Sequence, residues 1–142
     1  MATIQQAVLN IQKHAEKMMR GTVIGCASRI IKRTPVGNPD LWAGRAPVGY
    51  VGGTLRGNWQ PSIGQPVSGT ITRTDSSGAA VTSDIAREGQ RLNIGAVFYM
   101  TNNLPYAARI EFDGWSTQAS AGMMRIEVLE TAAAIEANRM KS

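Results

Sequence analysis

Ile4-Gln-Gln-Ala-Val-Leu-Asn-Ile-Gln-Lys-His-Ala-Glu-Lys-Met-Met-Arg-Gly-Thr-Val-Ile-Gly-Cys-Ala-Ser-Arg-Ile-Ile-Lys-Arg33 is the stretch on which the fold turns. Ile4, Val8, Ile11, Ala15, Met18, Thr22, Cys26 and Ile30 recur in steps of three and four. That spacing lays them along one stripe of a helix and leaves Gln5, Lys13, Lys17 and Arg20 elsewhere on its circumference. At ~1.5 Å of rise per residue the helix would be about 45 Å long. A small sheet cannot cover an element of that length, so part of the stripe is expected to meet another subunit. Gly21 and Gly25 each weaken the helix by roughly 1 kcal/mol relative to Ala, and mark either a close helix crossing or a bend. The helix ends at Thr34-Pro35, because a residue before proline is pushed out of the α region.

Residues 37–53 follow as a long loop holding Gly37, Pro39, Gly44, Pro47, Gly49, Gly52 and Gly53. Loops of this length inside a small domain are generally binding elements or mobile segments. Trp42 and Tyr50 are costly to leave in water, so at least one should pack on the domain or on a partner. The glycines do not make a phosphate loop. That motif needs Gly-Lys-Ser/Thr opening a helix, and here Gly57 is followed by Asn58-Trp59.

Downstream, Thr54–Ile63 and Val67–Arg73 read as strands joined through Gly64-Gln65-Pro66, with Pro61 at a bend or edge. Asp75-Ser76-Ser77-Gly78 is a turn, and Ala79–Glu88 a short helix stopped by Gly89. Leu92, Ile94 and Val97–Met100 supply further strand, with Gly95 a bulge position. Ile110 and Phe112 share a face if that segment is extended. A last helix lies within 121–140, begun by Ser120 as its cap. The expected fold is α+β in one domain, 1–142. A long N-terminal helix (1–33) and the loop (37–53) precede a small antiparallel sheet (54–112), and a C-terminal helix packs on that sheet.

Composition places the chain among globular proteins, at 43% hydrophobic and 18% charged residues. No apolar run approaches the ~20 residues needed to span a bilayer, and no signal-type stretch opens the chain. Cys26 is the single cysteine, which excludes an internal disulfide and fits a protein made in a reducing cytoplasm. The net charge of +5 is unevenly spread. Residues 1–73 hold nine Lys/Arg against Glu16 and Asp40, whereas residues 74–142 hold six against eight acids. Such asymmetry suits a surface that attracts a neighbour, or a positive face near DNA phosphates.

Thr101-Asn-Asn-Leu-Pro-Tyr-Ala107, Arg109-Ile110-Glu111, Gly114-Trp115-Ser116, Gln118-Ala119 and Gly122-Met123 with Arg125 form one dense block. Asn102, Asn103 and Pro105 mark its opening turn. Together with Arg33-Thr34-Pro35-Val36 and Leu55-Arg56-Gly57-Asn58-Trp59-Gln60, this block resembles the tail-completion (neck) proteins of long-tailed bacteriophages. The two patches cover about a third of the chain, in the family's order along nearly all of it. The sequence departs from the family's pattern in the interposed segment Gly37–Gly53 and in carrying Ala119-Ser120 where Ala-Pro is common. The resemblance implies a structural virion protein made in the host cytoplasm. It would form a sixfold or twelvefold ring between head connector and tail, with DNA passing through the lumen. A tail terminator at the same junction is the neighbouring reading, and neither role implies a cofactor.

Catalytic chemistry finds little footing. His14 is the only histidine, too few soft ligands accompany it for zinc, and a Ser–His–Asp set would have to use it without local support. Glu111 and Asp113 would point the same way from a strand, as paired carboxylates do in glycoside hydrolysis. The competing reading is that Arg109, Glu111 and Arg125 form ion pairs that fix an interface, and it is preferred. Trp59, Tyr99, Tyr106 and Phe112 are core candidates, and Trp59 and Phe98 are expected in the sheet. Trp115, set between Gly114 and Ser116, is expected as an exposed anchor. The candidate partner surface is therefore Trp42, Tyr50, Arg56, Tyr106, Arg109, Glu111, Trp115 and Arg125.

Overall fold

Helix α1 runs unbroken over Ile4–Arg33 in the computed structural model, which describes residues 3–41, 44–46 and 48–141. Thr3 caps it, its hydroxyl accepting the Gln6 N–H at 3.1 Å. At the other end Thr34 leaves the α region with ψ 124°, as the following proline requires. Lys32 and Arg33 sit in the last turn, where cations complement the carbonyl end of the helix. A Cβ added at Gly21 would stand in open space, and one at Gly25 would meet only the tip of Arg29. The close crossing falls elsewhere, at Gly89.

Helix α2 (Thr54–Gly57) and strand β1 (Gln60–Ile63) follow, then α3 (Ala79–Gln90), β2 (Phe98–Thr101), α4 (Ala107–Phe112) and α5 (Met124–Arg139). Short 3-10 turns occupy Pro39–Leu41 and Thr117–Ala119. β1 and β2 pair antiparallel, Gln60 opposite Thr101 and Ile63 opposite Phe98. The architecture is thus mixed α+β and mostly helical, with a long N-terminal helix, a two-stranded sheet and a C-terminal helix. Among the described residues no helix is long and apolar enough to cross a membrane.

Four local expectations are corrected. Thr54–Gly57 is helical rather than extended, and only Gln60–Ile63 of that run is strand. Val67–Arg73 forms no strand. Its backbone is claimed by side chains instead: Asn58 Oδ1 accepts the Ile71 N–H at 2.9 Å, and Asn103 donates to the Val67 and Gly69 carbonyls. Ala107–Phe112 is a helix, so Ile110 turns inward while Phe112 stays exposed. α5 finds its main packing partner in α1 rather than in the sheet.

The core gathers around the C-terminal half of α1. Ala27, Ile30 and Ile31 pack with Leu55, Trp59, Val81, Ile85, Ala107, Ile110, Ala119 and Met123. Gly89 lies inside α3, buried, where any Cβ would overlap the Ile24 side chain. It is the contact point of the two helices rather than a stop signal. Trp59 is 4% exposed, and its indole N–H donates to the Thr34 hydroxyl at 2.8 Å, which in turn donates to the Ile30 carbonyl at 2.7 Å. This chain of bonds ties the end of α1 to the segment entering the sheet. None of it reaches the first half of α1, where residues 3–15 are all exposed.

Candidate functional site

The block 101–125 builds its shape around one carboxylate. Glu111, 9% exposed, turns back from the end of α4 to the start of α5. Its Oε2 accepts the Met123 and Met124 N–H groups at 2.7 and 3.0 Å, and its Oε1 accepts Arg125 N–H at 2.8 Å. These are N–H groups that a helix leaves without internal partners, and a negative charge there also meets the positive end of the helix dipole. Gly122 makes the approach possible. Its φ is 97°, and a Cβ on it would stand 2.7 Å from the Glu111 carbonyl oxygen. The Arg125 guanidinium closes the loop by donating to that same oxygen at 3.0 Å and to the Ala121 carbonyl at 3.3 Å.

Two expectations change here. Ser120 is not the cap of the last helix, which begins at Met124 and is capped from a distance by Glu111. Glu111 and Asp113 are not a strand pair. Asp113 lies exposed at the end of α4, while both Glu111 oxygens are committed to backbone N–H groups. The premise of a paired-acid site is therefore gone. The turn opening the block is present at 105–106, but without left-handed asparagine: among the described residues only glycines have positive φ, and Asn102 Oδ1 instead accepts the Leu104 N–H at 3.3 Å. Asn102 donates its amide to the Leu55 carbonyl at 2.8 Å, pinning α2.

With the loop fixed, α4 presents its outer side chains to solvent. The Arg109 guanidinium lies 5.0 Å above the Trp115 ring, and Arg125 lies 5.3 Å from Phe112. Trp115 is 61% exposed, as an anchor would be, and so is Phe112, at 65%. Between these groups and the end of α1 runs a cleft of about 710 Å³. Tyr50, Tyr106 and Trp115 line it with Pro35, Leu55 and Ile110. Burial, together with neighbouring Tyr50, pushes the Tyr106 phenol above its ordinary value of 10.0.

Three of the expected partner residues thus share one concavity, and Arg109 stacks on its rim. Arg125 and Glu111 do not line it and instead fix the start of α5. Arg56 is a structural clamp, donating to the Thr34 carbonyl at 2.7 Å and the Ser76 carbonyl at 2.6 Å. Trp42 lies outside the described residues.

The most buried charge was not foreseen. Glu127, 4% exposed, accepts from Arg29 Nε and Arg33 Nε, each at 2.9 Å, and bolts α5 to α1. Arg73 pairs with Asp84 at 2.7 Å, and Asp75 takes the N–H groups of Gly78 and Val81 at the start of α3. Three arginines of the basic first half, Arg29, Arg33 and Arg73, are therefore paired inside the subunit with two acids of the second half. The one available signal was the Asp75-Ser-Ser-Gly run before a helix. No pattern within α5 alone distinguishes Glu127 from Glu130.

Acid should loosen this bolt. Burial raises the Glu127 pKa, but the Arg33 and Arg29 guanidiniums outweigh it and hold the group below its ordinary 4.5. Burial likewise opposes, and the Val81, Ser77 and Gly78 donors overcome, the shift at Asp75, which lies below 3.8. A carboxylate depressed in the folded state stabilises it fully above the unfolded pKa and loses that contribution as pH falls through the folded value. Denaturant midpoints are thus expected to hold from neutral pH down to about 5, then fall. Glu127→Gln should be less stable at neutral pH and show a shallower fall.

No family model, curated protein or solved structure matches this chain.

Proposed function

We propose that this chain is a structural subunit of a bacteriophage neck, forming a ring that joins the DNA-filled head connector to the tail. One observation carries the reading: apolar surface lies bare at both ends of α1. At the N-terminal end Ile4, Val8, Ile11 and Met18 are exposed on a helix that its own domain does not cover. At the C-terminal end, beyond Pro35, opens the aromatic cleft with Trp115 on its rim. Exposed patches of this kind mark interaction surfaces, and buried Trp, Tyr and Arg dominate the energetics of such contacts. A ring subunit between two other virion parts needs more than one such surface. The block that resembles neck proteins is also the block that builds the cleft, which supports the same reading.

The protein acts here by fitting, with no bond made or broken. The alternative of a basic DNA-contacting module loses ground because Arg29, Arg33, Arg56 and Arg73 are engaged within the subunit. Passage of genomic DNA through the lumen requires only sparse contact. A terminator ring at the same junction rests on the same surfaces. The test is genetic: particles assembled without this chain are expected to accumulate as filled heads and unattached tails. Normal joining and infectivity in its absence would reject the proposal.

A further inference from the structure

The outer side of α4 and the turn after it carry two charges that their own subunit leaves unanswered. Arg109 and Asp113 stand four residues apart beside Phe112 and Trp115, and all four are exposed. Among the described residues, neither the Arg109 nor the Asp113 side chain enters an ion pair or hydrogen bond. Their order along the helix accounts for this. Acid before base at a spacing of four complements the helix dipole, whereas base before acid opposes it. Arg109 accordingly turns from Asp113 and lies over the Trp115 ring. The neighbouring charges are already engaged. Both Glu111 oxygens hold backbone N–H groups, and Arg125 donates to the Glu111 and Ala121 carbonyls.

This pattern selects an occupant. A partner surface of one sign satisfies one of the two charges and repels the other. An occupant that satisfies both must present an acid and a base at the matching spacing. A second copy turned about a two-fold axis does so by symmetry, because residue i then meets j while j meets i. Phe112 and Trp115 of both copies are covered in the same contact. Each such ring buries about 150–250 Å² when fully enclosed, which puts the contact at the small end of specific interfaces. A dissociation constant on the order of 100 µM is expected for it in isolation.

We infer that the outer face of α4 is a two-fold contact between copies of this chain, Arg109 of each meeting Asp113 of the other. The inference rests on the assembly reading of the Trp115 end of the molecule and names what covers it.

Sedimentation equilibrium of the full chain, up to about 1 mM, tests it with charge reversals run singly and mixed. Arg109→Asp sets acid against acid in both pairs, and Asp113→Arg sets base against base. Each variant alone should associate about tenfold more weakly than wild type. An equimolar mixture of the two restores acid against base in both pairs, and should return association to within about threefold of wild type. Both residues lie outside the core, so thermal melts by circular dichroism should show both variants folded. A chain that stays monomeric throughout, or reversals without effect, would overturn the contact. So would a mixture no tighter than its components, which would assign the face to a partner other than a second copy. Any of these results leaves the neck reading standing. Particles that join normally without the chain reject the neck reading and leave this contact standing.

Discussion

Glu111→Ala is expected to lower the stability of the folded chain by about 3 kcal/mol, measured by chemical denaturation. The substitution removes the acceptor of three backbone N–H groups at the start of α5, two of them on one oxygen. Hydrogen bonds to a charged acceptor are worth about 1.5–3 kcal/mol each and are not additive within one group. Met123 is 1% exposed, so its N–H would be stranded away from water rather than rehydrated. Glu111→Gln keeps one carbonyl acceptor but turns an amide toward N–H donors, and should lose roughly half as much. Asp113→Asn, on an exposed side chain, should stay within about 0.5 kcal/mol. The ordering separates a structural from a chemical role, because a carboxylate used as a catalyst tolerates the isosteric amide in stability measurements. A Glu111→Ala protein as stable as wild type would refute the anchoring role.

Trp59→Ala should cost still more, about 3–5 kcal/mol, enough to bring a small domain close to unfolding. The indole is one of the largest groups in the core and touches elements from both halves of the chain. Its removal leaves a cavity and takes away the donor that engages Thr34. Thr34→Val tests the polar part alone. It strands the indole N–H of a residue 4% exposed, a loss of about 1–3 kcal/mol with packing volume nearly kept. Differential scanning calorimetry on the two variants should therefore rank Trp59→Ala well below Thr34→Val. The reverse order would mean that the hydrogen bond, not the packing, holds this junction.

What the sequence showed plainly was what depends on neighbours in the chain. α1 is legible because its stripe and its stop before Pro35 are both local. α3 was legible from turn residues and spacing, although Gly89 was misread. A glycine that ends a helix and one that admits Ile24 from another helix look alike until the second helix is in place. Thr54–Gly57, part of the run read as strand, and Ala107–Phe112, left open between extended and turning, are short enough that apolar spacing fits either period. For Thr54–Gly57 a tertiary hydrogen bond adds to the local ones. Asn102 supplies such a bond to α2, donating to the Leu55 carbonyl from 47 residues away.

For the site, Trp115 was legible as an exposed anchor because Gly114 and Ser116 leave it no strand to pack in. Its company was not. Tyr50 and Tyr106 stand far apart in sequence and meet only because the loop after α1 folds back over α4. Arg56 and Glu111 carried the look of partner contacts, charged groups in a dense block, and both are committed to carbonyls or N–H groups of their own subunit. A charge that satisfies backbone is invisible to composition and spacing.

The central claim is that this chain works at the neck, as copies fitted against one another and against the parts above and below. Image reconstruction of the assembled particle tests it most directly. Repeated copies of this fold are expected around the DNA channel where head meets tail, with the N-terminal half of each α1 covered by a neighbour. Its absence from that junction, in particles that are otherwise complete, would rule out a neck role.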